Sequence, residues 1–246
     1  MKVTLKDGSV KEYAQAMSVI DIAKDLSEGL ARAACAGEVD GEVVDLRTVL
    51  DKDCELNILT ARDEKGLAVL RHTASHVMAE AVQTLFPEAK VAIGPSIDTG
   101  FYYDFECQSF SRDDLDAIEK EMKKIIKKGA KIERFTKSRE DAIAFFKEKN
   151  EPYKVELIED LPEGEEISFY SQGDWVDLCA GPHLMSTKGI KAFKLLSSSG
   201  AYWRGDENKH MLTRIYGTAY ATKDELKEHL EQMEEAKRRD HNKLGR

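Results

Sequence analysis

Six side chains in this 246-residue sequence have types and spacings suited to chemistry: His72, His76, Lys154, Asp177, Cys179 and His183. His72 and His76 stand four residues apart, so on a helix both imidazoles point along one face toward one small volume. Thr73 stands where an HExxH metalloprotease needs glutamate, which removes that mechanism. Two unrelated helix histidines would share this spacing. Cys179 and His183 bracket Ala180-Gly181-Pro182, a turn that brings a thiol and an imidazole to one side. With the helical pair they make three imidazoles and a sulfur, a ligand set that suits zinc but does not require it. A Cys–His nucleophilic pair, or a buried inert cysteine beside a turn-closing histidine, would use the same residues.

Asp177 alternates with Cys179 on one strand face, where it can fix an imidazole tautomer, receive a protonated amine, or simply face solvent. Lys154 falls on a strand expected over 154–158, either as a lone cation beside a pocket or as a surface lysine. Arg204 beside Gly205-Asp206 can contact a phosphate or pair with Asp206. Phe101, Tyr102, Tyr103 and Trp203, taken singly, read as core.

The elements that must position these groups follow from periodicity. Residues 2–13 read as a hairpin turning at Asp7-Gly8-Ser9, and Ser18 caps a helix through Ile22, Ala23, Leu26, Leu30 and Ala33. Short apolar runs at 39–50 and 56–59 complete a small, β-grasp-like mixed sheet. After a polar hinge at 61–66, Leu70, Ala74, Val77, Ala81 and Leu85 mark a helix over 67–86 that Pro87 stops. Strands are expected at 91–95 and 100–105, then helices capped by Ser111/Asp114 and Ser138/Asp141, then a strand region over 168–178. Further strands at 193–196 and 211–216 precede a last helix capped by Thr222.

Composition sets the outer limits. With 37 Lys and Arg against 46 Asp and Glu, the net charge of −9 excludes a broadly basic nucleic-acid binder, although a local positive groove remains compatible. Residues 1–61 carry seven basic against twelve acidic side chains, a poor stand-alone attractor of RNA. Four cysteines without a CxxC pair argue for a reducing compartment and against a disulfide scaffold. The alternating start and the lack of an 18-residue apolar run lead to the expectation of a cytoplasmic protein with no membrane partner.

Five stretches carry a resemblance: residues 71–76 (RHTASH), 92–104 (AIGPSIDTGFYYD), 177–183 (DLCAGPH), 200–206 (GAYWRGD) and 214–219 (RIYGTA). Together they resemble the N-terminal part of bacterial-type threonyl-tRNA synthetases. Thr73 stands where that family usually has serine, and Ser75 where alanine is common. The resemblance implies an α+β chain: a ubiquitin-like TGS domain over 1–61, a mixed α/β two-layer editing domain over 62–224, and a linker helix over 225–246. The catalytic domain of the parent enzyme, with its ATP, magnesium and catalytic zinc, is not expected in this sequence, so no ligase activity is expected of it.

The implied activity is hydrolysis of serine misattached to tRNA(Thr), with the 3′-terminal adenosine as the docking end. His72, His76 and His183 would orient the water or assist proton transfer, Lys154 would stabilise the ribose side or developing negative charge, Asp177 would receive the serine ammonium or anchor a neighbouring histidine, and Cys179 would line the floor. No cofactor is expected for editing, with zinc at the histidine–cysteine set as the alternative. A zinc-dependent alanyl-type deacylase and a non-catalytic tRNA-binding module are the competing readings, and a monomer is expected.

Overall fold

The computed structural model describes residues 1–245. The N-terminal sheet takes its shape from alternating short strands, β1 (Lys2–Leu5), β2 (Val10–Glu12), β4 (Ala34–Val39), β5 (Glu42–Val44) and β7 (Cys54–Thr60), in the order β2-β1-β7-β4-β5. β1 and β7 run parallel and the other pairs antiparallel, as in a β-grasp. A minor ribbon pairs β3 (Met17–Ser18) with β6 (Val49–Leu50). Helix α1 (Val19–Leu26) buries Val19, Ile22 and Ala23 against Val3, Leu46 and Leu56.

The single helix expected over 19–33 is in fact two. Ser27 is extended (φ −172°, ψ 135°), and its hydroxyl accepts the Leu30 amide to start α2 (Glu28–Ala33). A serine hydroxyl competes with the helical ladder and here begins a new helix instead of continuing the old one.

The second part is built around α3 (Glu64–Leu85), which starts three residues earlier than the periodicity indicates. Gly66 explains the start: a Cβ there would lie 2.0 Å from the Thr60 carbonyl, so only glycine lets the first turn of α3 lie against the end of β7. Buried residues cover nearly the whole circumference of α3 between Val69 and Val82, as befits a central helix. Cys35, Ala36 and Leu59 of the N-terminal sheet share a core with Val69 and Leu70.

Around α3 lie β8 (Lys90–Val91), β9 (Ser96–Ile97), β10 (Gly100–Glu106), α4 (Arg112–Lys128), β11 (Ile132–Thr136), α5 (Arg139–Glu148), α6 (Pro152–Glu159), β12 (Ser168–Gln172), β13 (Trp175–Leu178), β14 (Ala192–Tyr202), β15 (Met211–Tyr220) and α7 (Lys223–Leu244). One sheet runs β14-β15-β10-β8, with β9 attached to β10, and a second runs β11-β12-β13. Phe101, Tyr103 and Phe105 point from β10 into the core with Ile118, Met122 and Ile215. The expected caps form: Ser111 and Asp114 make a reciprocal capping box, Gly129 closes α4 at φ 66°, and Ser138 and Thr222 start α5 and α7. No helix among the described residues is long and apolar enough to cross a membrane.

Two further expectations are corrected. Residues 154–158 form helix α6, not a strand: Pro152 occupies its first turn, and Tyr153, Lys154 and Ile158 are its buried positions, a helical rather than a two-residue repeat. The strand region at 168–178 is a tight hairpin, broken by Gly173 at φ 59°. β11 and the outer half of β14, with its Ser197-Ser198-Ser199-Gly200 run, were not anticipated, because neither has a strong alternating apolar signal.

Candidate active site

Helix α3 projects His72 and His76 on one face, with ring centroids 5.2 Å apart. The chain after β13 brings His183 against both, at 4.1 Å from His72 and 4.2 Å from His76. Cys179 lies between, its Sγ 3.3 Å from His72 Nε2 and 3.2 Å from His183 Nε2. The loop is shaped by Gly181, at φ 76° and so close to Tyr170 that a Cβ would sit 2.1 Å from the phenol oxygen. The Gly181–Pro182 bond is cis.

Asp177, on β13, is 1% exposed. Its Oδ2 accepts the Tyr103 hydroxyl at 2.7 Å and lies 3.4 Å from His76 Nε2. Lys154, itself 2% exposed, places Nζ 2.7 Å from Asp177 Oδ1 and 5.4 Å from the Tyr103 ring centroid. That distance is an ion-pair distance, yet no donor among the described residues meets Oδ1 at a good hydrogen-bond angle. That oxygen is itself buried, and the Lys154 ammonium is its charge partner. The structure thus places all six sequence-derived residues in one region; five of them line a cavity of about 290 Å³ with Gly94, and His183 sits behind it, 1% exposed.

The electrostatics are one carboxylate, one ammonium and otherwise neutral groups. Burial drives His72 down to about 4 and His76 to about 3, although Asp177 pulls each back up and Lys154 pushes each further down. Burial also takes His183 well below its ordinary value, aided by the two neighbouring imidazoles. The Cys179 thiol is pushed up to about 12, first by burial and then by Asp177. Burial acts to raise Asp177, but Lys154, His76 and Tyr103 together hold its carboxyl below the usual range. Near neutral pH the imidazoles are uncharged and the cysteine is a thiol, not a nucleophilic thiolate.

The hydrogen-bond network differentiates the histidines. Thr73 Oγ1 accepts the Leu184 amide and lies 2.9 Å from His183 Nδ1. With no other acceptor for the Thr73 hydroxyl among the described residues, its proton goes to Nδ1, which leaves His183 Nε2 protonated toward Cys179. His72 Nε2 faces the Cys179 sulfur at 3.3 Å and can accept the thiol proton. Ser75, the other position that departs from the resembled pattern, has its single hydroxyl proton shared between the carbonyls of His72 and Gly94, at 2.6 and 2.9 Å, and so links the helix to the cavity wall.

Sequence reasoning missed Tyr103 as a site residue, since its place between Phe101 and Phe105 reads as core; the clue was its hydroxyl, which needs a partner when buried. It also missed Thr73 as a ligand of His183, and Tyr170. Arg204 pairs with Asp160, not Asp206, and Trp203 packs on Tyr153 and donates to Glu156.

His72, His76, Cys179 and His183 bring their ligating atoms within 4.8 Å of one another, so the set fits a single metal ion stereochemically.

Residues 1–60 match the family model described as TGS domain, and residues 167–216 match the Threonyl and Alanyl tRNA synthetase second additional domain. Among curated proteins, the whole chain is 60% identical over 247 residues to a threonine–tRNA ligase of Acetivibrio thermocellus and 60% identical to one of Clostridium botulinum strain Hall. A threonine–tRNA ligase of Clostridium botulinum strain Okra is 58% identical over the same length. In each case the match takes in all of this chain but only 39% of the relative. With a TGS domain at its start and the second additional domain around its Cys179–His183 loop, the chain belongs to the threonine–tRNA ligase family and corresponds to the N-terminal part of those enzymes.

Proposed function

We propose that the cavity hydrolyses the ester of seryl-tRNA(Thr), as the proofreading part of a threonine–tRNA ligase. The observation that carries this reading is convergence: residues from α3, α6, β13 and the loop after it meet around one small cavity. A tRNA-binding module without catalysis has no need to bury a Lys–Asp pair against three imidazoles.

The need for such a site is energetic. Serine is threonine less one methyl, and one methylene-sized contact discriminates by only roughly 10- to 200-fold. A second, smaller pocket completes the sieve by admitting serine where the extra methyl clashes. The chain's own residues divide the work. Asp177, a residue of the cavity lining, receives the serine ammonium, and the Tyr103 hydroxyl, His76 and Lys154 fix its carboxylate. His72, neutral and on the cavity wall, orients the attacking water and takes its proton. Lys154 stabilises the negative charge that develops on the ester carbonyl oxygen. His183 and Cys179 form the wall that holds His72 in place.

A second reading is supported by the four ligating atoms lying within 4.8 Å: a zinc ion held by His72, His76, Cys179 and His183, as in a zinc-dependent alanyl-type deacylase. Bound there, zinc would supply Lewis acidity and an activated water. Lys154 and Asp177 act on His72 and His76 with opposite sign, Asp177 the more strongly, so the local charge does not decide between the two readings.

By the same reading, residues 1–61, 62–224 and 225–246 are the TGS domain, the editing domain and a linker toward a ligase catalytic domain. The partner is tRNA(Thr) through its aminoacylated 3′-adenosine, the setting is the cytoplasm, and the chain is a monomer. The test is serine release from seryl-tRNA(Thr) beside threonyl-tRNA(Thr) and mischarged alanine tRNA. Release of serine on the first, lost in His72→Ala and Lys154→Ala, is the expected result. Activity indifferent to both substitutions contradicts the assignment.

A further inference from the structure

His183 belongs to a loop that has no regular secondary structure between Cys179 and Met185, so its position depends on individual hydrogen bonds. Both polar groups of its backbone are held by the N-terminal module. The His183 amide donates to Asp45 Oδ2 at 3.1 Å, and the His183 carbonyl accepts from Arg47 Nη1 at 3.2 Å. Asp45 and Arg47 lie in the short connection between β5 and β6, more than 130 residues away in sequence.

The same two side chains fix everything around that backbone. Asp45 Oδ2 also accepts the Tyr170 hydroxyl at 2.7 Å, and the Tyr170 ring stands edge-on to the His183 imidazole at 4.6 Å. Arg47 Nη2 donates to the carbonyls of Leu184 and Ile132 at 2.8 and 2.6 Å. Asp45 Oδ1 in turn accepts the Arg47 amide at 2.8 Å and Nη1 at 3.0 Å, so the pair is braced internally. Asp45 and Arg47 side chains are only 11% and 17% exposed, so these charge-assisted bonds are sheltered from water.

We infer that the N-terminal module is a structural component of the hydrolytic site: Asp45, with Arg47, is a positioning residue that holds His183 and, through it, Cys179 and His72. Neither side chain touches the cavity. Their effect is on where the imidazole sits, and a displacement of about 1 Å at a reacting group costs on the order of a hundredfold in rate. The module therefore contributes to turnover apart from any role in gripping RNA. This inference rests on the hydrolytic reading above.

The experiment uses the whole chain. Asp45→Ala should lower kcat for serine release by roughly ten- to a hundredfold with KM changed less than about threefold, in samples whose far-UV circular dichroism and melting confirm a folded protein. Asp45→Asn, which keeps an acceptor but sets an amide N–H against the Arg47 amide, should fall between. Asp53→Ala is the control: its carboxylate accepts the Lys2 amide on the exposed edge of the same module, far from the loop in sequence, and kcat should match wild type. In heteronuclear NMR spectra, Asp45→Ala should move the His183 amide and imidazole signals. Should Asp45→Ala fail to fold, Tyr170→Phe removes only the phenol oxygen bonded to Asp45 and should still cut kcat several-fold. Wild-type kcat in folded Asp45→Ala, or His183 signals unmoved by it, overturns the inference and leaves the hydrolytic reading intact. A wild-type chain that releases no serine defeats that reading instead, and the NMR shifts then decide the positioning role alone.

Discussion

Lys154 Nζ lies 2.7 Å from Asp177 Oδ1 with both side chains at most 3% exposed, an ion pair removed almost entirely from water. Such a pair offers little net stability over an apolar pair of the same volume, but removing one partner strands the other charge. Lys154→Met and Asp177→Leu should each destabilise the chain by about 3–5 kcal/mol in urea unfolding, while the double variant should recover most of that loss. All three should be inactive. A double variant no more stable than either single one would show that the pair is not coupled in this way.

Acid should act on the fold before it acts on the ordinary carboxylates. His72 titrates at about 4 and His76 at about 3 in the folded, metal-free protein, against 6.5 ordinarily. Between those values the unfolded chain binds protons that the native chain does not, so stability rises with pH there. Stability should therefore fall as pH drops from about 6.5 toward 4, by a few kcal/mol in all. The lowered Asp177 carboxyl adds a further loss only below the usual carboxylate range. Serine release should stay level from about pH 8 to about 5.5 in the folded protein, because the imidazoles remain neutral throughout. A pH–rate profile with a midpoint near 6.5 would mean that the essential histidine is solvated.

Gly181→Ala should be costly in two ways. Its φ of 76° is left-handed, and the new Cβ would meet the Tyr170 hydroxyl. Strain of this kind costs about 1–3 kcal/mol, and the clash pushes on the residue that contacts His183. Thermal melting should register the loss, and kcat should drop at least tenfold. Gly8→Ala, at φ 87° in an exposed turn with open space around it, should show the strain but keep kcat.

Metal dependence separates the two chemistries. On the water-based reading, elemental analysis should find no stoichiometric zinc, and chelation should leave serine release unchanged. One zinc per chain, with activity lost to a chelator and regained on adding zinc, would establish the metal reading.

Much of this was legible in the sequence, and the reason differs by residue. His72 and His76 were readable because helical spacing is rigid: once α3 is recognised, four residues apart means one face. The Ser111, Ser138 and Thr222 caps were readable because capping is local chemistry. Lys154 is legible as a candidate cation but falls on a helix instead of the expected strand, because Lys154-Val155-Glu156-Leu157-Ile158 fits both periods and the deciding signal is Pro152. Asp45 and Arg47 carried no signal at all: their partners lie in another module, and no local pattern encodes a contact across so much sequence.

The most direct test is a structure of the chain with seryl-adenosine linked by an amide in place of the ester. The serine ammonium should sit within hydrogen-bond reach of Asp177, with the carbonyl between His72 and Lys154. An analogue seated elsewhere, with the cavity empty, would contradict the hydrolytic account.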